Sequence, residues 1–199
     1  MQNSKNKTLR LTLLGVLSAI IIIQTFVPFL GYIPLGVLNI TIIPVTVIVA
    51  AVVLGPKEGA VIGGIWGLIV FIRAYTMPTS PMAAYVFTNP IISILPRILI
   101  GLLAGYAYNG FTKLKMRRSL ALVLSGVIGS LVNTVLVLGL IYVFYKEVYA
   151  SVSNIANDQV IGALLAIVGT NGIFEAVFAG IVVPIIARPL MGRWRNRLK

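Results

Sequence analysis

Arg97 stands inside the apolar stretch "SILPRILIG" (93–101), directly after Pro96. A guanidinium facing lipid at that depth would cost at least about 2.5 kcal/mol, so it is expected to face a protein interior or a wet cavity. Its charge is permanent, and its planar fork matches a carboxylate or a phosphate. Pro96 frees a backbone carbonyl one turn earlier and bends the helix, which opens room beside the cation. Two structural roles compete with ligand binding: snorkelling to lipid headgroups, or pairing with Glu175.

Asn133 with Thr134, and Asn171 with Glu175, sit midway along two later apolar segments, the last pair four residues apart and hence on one helical face. Amides in hydrocarbon need partners, which a facing helix or a bound polar molecule can supply. Glu175 is as suited to holding Arg97 or Arg73 in place as to meeting a solute. Trp66, within "GGIWG" (63–67), offers a flat wall and one donor, and Gly63, Gly64 and Gly67 admit a close backbone or a ligand. Tyr85, Phe87 and Asn89 precede the Arg97 segment, where they can close over a solute or serve as interface residues.

Other chemistry is excluded by composition. The 199 residues contain no cysteine and no histidine, which removes thiol nucleophiles, zinc sites and Ser-His-Asp arrangements. There is no Walker lysine motif, GxSxG elbow or paired-carboxylate constellation. An enzyme is therefore not expected, and neither a cofactor nor a metal is implied.

Positioning falls to helices in a membrane. Hydrophobic residues make up 59% of the chain and charged residues 10%. Apolar segments at roughly 9–28, 40–54, 59–73, 91–108, 119–145 and 159–187 predict an all-α membrane protein, six transmembrane helices in one bundle over 1–199. Segments two and three are short, but "GPKEGA" (55–60) between them is turn chemistry with charge; the alternative is one re-entrant pair. The net charge of +12 does not point to nucleic acid, because the basic residues gather in loops and tails. Lys5, Lys7 and Arg10 precede the first segment, Lys57 follows the second, and Lys113, Lys115, Arg117 and Arg118 follow the fourth. Arg188, Arg193, Arg195, Arg197 and Lys199 end the chain, leaving only Arg73, Arg97 and Lys146 elsewhere. By the positive-inside rule the span count is even and both termini are cytoplasmic, in a multi-pass protein of the bacterial plasma membrane. The first segment lacks a signal-peptide cleavage site and is read as a helix.

Two outward loops are expected. Val27–Pro44 holds three prolines and two glycines among apolar residues, so it cannot be a regular helix and should pack back on the bundle. Arg73–Pro90 carries three prolines with Tyr75, Tyr85 and Phe87, suited to an interface or a lid. No tandem or inverted repeat of the kind many secondary transporters carry is evident. In the first helix, Gly15 and Ala19 form a small-xxx-small pair that lets another helix approach to backbone distance.

Taken together, this first-helix pair, "GYIPLGVLNITIIP", "LGPKEGA", "TNPIISILPRILIG", Asn133-Thr134 and "NGIFEA" resemble the S components of energy-coupling factor (ECF) vitamin transporters over essentially the whole chain. The "NPxxSxLPRxLxG" segment is most similar to the pantothenate-specific members. The resemblance implies a substrate-binding subunit of an ECF-type ABC transporter. Such a subunit binds its vitamin from outside, associates with a transmembrane T subunit and two cytoplasmic ATPases, and is thought to topple to release the vitamin. Gly15 and Ala19 match the family's AxxxA coupling motif, with glycine for the first alanine, and the loop between the first two helices corresponds to its gating loop.

Pantothenate also fits the residues: it is a small carboxylate with one amide and two hydroxyls, and Arg97 with Asn133, Asn171 and Asn89 supplies a fixed cation and neutral hydrogen-bonding groups. Trp66 and Tyr85 complete the expected ligand-binding set. Folate would call for a larger aromatic slot, and thiamine for more carboxylate than Glu175. The alternatives are an S component for another vitamin or precursor and a stand-alone secondary carrier.

Overall fold

Hydrocarbon offers no partner to a backbone N–H or C=O, so each apolar run satisfies its own polar groups by coiling into a helix. In chain order the computed structural model has α1 (Gln2–Phe26), an antiparallel ribbon of β1 (Tyr32–Leu35) and β2 (Leu38–Thr41), α2 (Ile43–Val53), α3 (Pro56–Thr76), α4 (Pro81–Val86) and α5 (Pro90–Ser93). There follow α6 (Leu95–Lys113), α7 (Arg118–Ser153), α8 (Val160–Ile167), a π-helical turn (Val168–Gly172) and α9 (Ile173–Arg197). The backbone is described over 2–27, 30–35, 38–78 and 80–197, and the side chains there except at 2–7, 33–35, 38–40 and 193–197. The basic side chains of Lys5, Lys7 and the tail from Arg193 to Lys199, with Trp194, lie outside the described residues.

Five stretches are long and apolar enough to cross a membrane: Thr8–Phe26, Pro56–Thr76, Pro90–Lys113, Arg118–Ser153 and Val160–Gly192. Their outer faces carry side chains a water-soluble chain would bury, such as Val143 at 69% and Ile185 at 65% exposure. The remaining apolar helix, α2, has 11 residues. At 1.5 Å per residue it rises about 16 Å, roughly half the hydrocarbon thickness. It is buried from Ile43 to Val52 except at Thr46, and it packs on α1, α3, α6, α7 and α9.

Longer helices thus surround a short central one. The ribbon lies at its N-terminal end, touching α9 and the π turn. Tyr32 pairs with Thr41 and Leu35 with Leu38, and Ile42 N donates to Gly31 O at 2.9 Å. This ribbon is the departure from an all-helical bundle among the described residues. The prolines of Val27–Pro44 rule out a helix, as expected, yet β1 tolerates Pro34 because a two-stranded ribbon leaves one edge of each strand unpaired. The second loop departs further: α3 runs through Arg73 to Thr76, and α4 is capped by Ser80, whose Oγ accepts from Ala83 N at 3.1 Å.

A glycine seam sets α3 against α6. A Cβ on Gly63 would collide with the carbonyl of Arg97, one on Gly67 would fall 2.7 Å from Ile94 Cα, and one on Gly105 2.7 Å from Pro56 Cα. Backbones in contact fix the height of Trp66 on α3 relative to Arg97 on α6. On the other side of the bundle α7 packs against α6 and α9, with Gly126 against the Ala179 carbonyl and Gly129 against Ile48 and Ala104. α7 is kinked at Tyr145 (φ −134°, ψ 23°) and continues to Ser153, where Asn154 closes it in the left-handed conformation.

Candidate ligand-binding site

The local structure at Arg97 follows from Pro96. Without an N–H, Pro96 cannot bond the carbonyl four residues back, that of Ile92, and the helix breaks at Ile94 between α5 and α6. Arg97 Nη1 donates to that freed carbonyl at 2.6 Å. One guanidinium nitrogen is therefore spent on the gap the proline made, and the group is locked in place. Its Cζ lies over two aromatic rings, 5.0 Å from the Trp66 centroid and 5.1 Å from that of Phe87. Arg97 is 5% exposed, and its Nε–H has no partner. A desolvated cation stacked between rings is favourable by about 2 kcal/mol or more per contact, yet still lacks an anion.

Glu175 does not supply one. Its Oε1 accepts from Thr41 N at 2.9 Å, and its Oε2 accepts from Thr134 Oγ1 at 3.2 Å. The carboxylate thus ties the foot of the ribbon, α7 and α9 together. Among the described residues the ion pair is Arg10–Glu58, at 2.5 Å, at the far end of the bundle. Arg73, on the ribbon side, donates to Thr25 O and lies 6.0 Å from the Phe26 ring and 5.9 Å from that of Tyr32. Burial pushes the Tyr32 phenol above its ordinary value against the pull of Arg97 and Arg73, so it stays neutral between the two cations. Around the Tyr32 phenol, two guanidiniums face one carboxylate, Glu175, whose oxygens are already taken by Thr41 and Thr134.

Four further polar atoms near this axis are buried without a partner or nearly so. Trp66, 1% exposed, faces the Tyr32 phenol with Nε1 without reaching hydrogen-bond geometry. Asn133 Oδ1 and Ser130 Oγ, on residues 8% and 1% exposed, have no partner on α7 or its neighbours. Arg73 Nε is the fourth.

Of the expected residues, the structure sets Trp66 against Arg97 and buries Asn133 on α7 with its Oδ1 unpartnered. The others are exposed or occupied locally. Asn89 Oδ1 caps α5 by accepting from Ile91 N at 3.0 Å. Tyr85 is 57% exposed on α4. Asn171 lies in the π turn, half exposed, with its Oδ1 toward Thr170 Oγ1 at 3.4 Å. The wider π turn breaks the four-residue spacing that would align Asn171 with Glu175. Phe87 and Tyr32 lie beside Arg97 instead, and Ser130 is a further buried, unpartnered group on α7. Phe87 stood beside Tyr85 in the sequence; nothing local marked Tyr32 or Ser130. Gly15 and Ala19 are exposed on α1, and a Cβ on Gly15 would meet nothing within 4 Å.

Known proteins place this geometry. The model of the ECF transporter substrate-specific component matches residues 9–187. A pantothenate transporter PanT of Leuconostoc mesenteroides is 38% identical, the match covering 94% of this chain and 95% of that protein. A pantothenic acid transporter PanT of Lactococcus lactis subsp. cremoris is 31% identical over 96% of this chain and 98% of its own. In fold, the chain resembles the crystal structure of the S-component for biotin from an ECF-type ABC transporter, with TM-score 0.56, 18% identity and coverage of 94% and 95% of the two chains. The chain belongs to the substrate-specific components of ECF transporters, and is thus a multi-pass transport protein of the cell membrane rather than an enzyme.

Proposed function

We propose that this chain binds pantothenate at the ribbon end of the bundle and delivers it for import. The observation that carries the reading is Arg97: a buried guanidinium anchored by Pro96's orphaned carbonyl, stacked on Trp66 and Phe87, and without a carboxylate of its own. Such a group binds a carboxylate with little reorganisation, because its side-chain entropy is already lost and its solvent already excluded. Asn133 supplies a neutral partner for the amide or hydroxyls. The two pantothenate-transporting relatives, which align over nearly the whole chain, support the same ligand.

In this reading the ribbon faces outward and gates the site, and both termini face the cytoplasm. The short α2 completes six spans with the ribbon filling the remainder of its column. The exposed Gly15 and Ala19 surface meets the T subunit, which works with two ATPases. Arg97, Trp66 and Asn133 touch the vitamin; Asn171, Asn89 and Tyr85 shape or cap their own elements.

The purified chain, titrated calorimetrically with a panel of vitamins, should bind pantothenate and ignore thiamine. Uptake of labelled pantothenate should appear only with the T subunit and ATPases present. Binding of only a cationic or uncharged vitamin refutes the carboxylate assignment, and accumulation by this chain alone in liposomes under an ion gradient refutes dependence on an ATPase.

A further inference from the structure

Five serine and threonine hydroxyls are buried on helical residues among the described residues: Thr25, Ser93, Ser125, Ser130 and Thr134. Three donate to the carbonyl four residues back: Thr25 to Ile21, Ser93 to Asn89 and Ser125 to Ala121. That is the ordinary resting place of a hydroxyl in a dry helix. Thr134 has the Ser130 carbonyl at 3.4 Å but gives its proton to Glu175 Oε2 at 3.2 Å. Ser130 alone of the five has neither, and its Oγ is buried without any partner. Asn133 Oδ1, one turn further along the same face of α7, is also unpartnered. Two adjacent orphans on one face, each on a residue more than nine-tenths buried, mark a place built for a polar group that the chain does not contain.

The heights of these atoms are set by the packing of α6 on α7. Gly129 lies against Ala104. Arg97 is seven residues from Ala104 toward the ribbon, a rise of about 10 Å, whereas Asn133 is about 6 Å and Ser130 about 1.5 Å from Gly129 in the same direction. Ser130 is therefore the deepest polar group and Arg97 the nearest to the ribbon. The hydrogen-bonding sense changes along this line. Near the ribbon the open groups, Arg97 Nε–H and Trp66 Nε1–H, are donors; at depth Asn133 Oδ1 is an acceptor and Ser130 Oγ can be either.

We infer that Ser130 is a specificity-determining residue that hydrogen-bonds a ligand hydroxyl, and that the ligand lies with its carboxylate toward the ribbon at Arg97 and its hydroxyl-bearing end deep, on Ser130 and Asn133. This rests on the carboxylate-ligand reading and adds the orientation and the recognition of the uncharged end. A site of this kind rejects an acid that lacks the hydroxyls, because the analogue leaves both orphans buried and dry.

The test is a cycle between the side chain and the ligand, by calorimetry on the full chain in nanodiscs with pantothenate and with its dehydroxylated analogue, which keeps the carboxylate and amide. The parent should bind the analogue about 10- to 100-fold more weakly than pantothenate. Ser130→Ala should lose a comparable factor for pantothenate and almost nothing further for the analogue. Its ligand-free melting temperature should stay level or rise, since the change removes an unsatisfied hydroxyl. Arg97→Lys, by contrast, should weaken both ligands by the same factor. Ser130→Ala that binds pantothenate like the parent, or that loses equally for both ligands, or that melts earlier without ligand, overturns the role. A parent that binds neither compound overturns the vitamin reading itself, and this inference with it.

Discussion

Replacing Arg97 separates anchoring from recognition, because the guanidinium does both. Its Nη1 occupies the Ile92 carbonyl, and its Nε–H is buried without a partner. Two charge-assisted hydrogen bonds to a carboxylate are worth about 1.5–3 kcal/mol each, and breaking a buried pair costs about 3–5 kcal/mol. Arg97→Gln should therefore weaken pantothenate binding by about two to four powers of ten. Arg97→Lys keeps the charge, but as a point donor that must choose between Ile92 O and the ligand; losing one bond predicts a drop of roughly 10- to 150-fold. Arg97→Gln, with its shorter side chain, also leaves the Ile92 carbonyl short of its partner, at about 1–3 kcal/mol of stability. The double variant Pro96→Ala/Arg97→Gln restores an N–H four residues after Ile92. It should recover melting temperature but not affinity. Calorimetry and thermal melting on the same samples give both numbers. If affinity returns together with stability in the double variant, Arg97 is a structural plug for the proline gap, and the carboxylate assignment falls.

Three other perturbations follow from the packing. Gly63→Val should separate α3 from α6 and lower the melting temperature, at about 1–3 kcal/mol, while Gly64→Ala, whose Cβ would lie 3.6 Å from Ile98 Cγ1, should be neutral; equal effects would mean the seam is not the constraint. Glu175→Ala removes the acceptor of Thr41 N–H at the foot of the ribbon. It should speed ligand dissociation by about tenfold with little change in association, followed by Trp66 fluorescence in a Trp194→Phe background; tighter binding instead would mean Glu175 acts chiefly by repelling the anion. Gly15→Leu meets open space in this chain. It should leave binding and melting intact and abolish uptake with the T subunit and ATPases, whereas full uptake would place the partner elsewhere.

How much of this was legible beforehand depends on how local the physics is. Pro96 and Arg97 are neighbours, and the carbonyl one orphans is the one the other takes, so the anomaly could be read from adjacent letters. The glycines around Trp66 announced a close approach for the same reason. The capping role of Asn89 had a signal in the sequence: an asparagine directly before a proline that opens a helix is an N-cap pattern. Asn171 had no such signal, because a π turn leaves no mark in composition and shifts the face by which Glu175 and Asn171 would have been aligned. The ribbon was illegible as strands because each strand has only four residues, and Pro34 within the first argues against a strand in sequence.

These misreadings share a cause, and it is also what makes the site. Pro96 and the ribbon's unpaired edges are places where the backbone fails to satisfy itself, and in hydrocarbon each failure demands a partner from a side chain. Arg97 answers Ile92, and Glu175 answers Thr41. A buried charge recruited for such a purpose has more hydrogen-bonding capacity than the repair consumes. Arg97 Nε and the neighbouring Asn133 Oδ1 are what remains after the repairs are made. The chain thus gains a preorganised site from the irregularities a regular six-helix bundle would have removed, and restoring a regular helix at residue 96 should diminish binding even where every contacting side chain is kept.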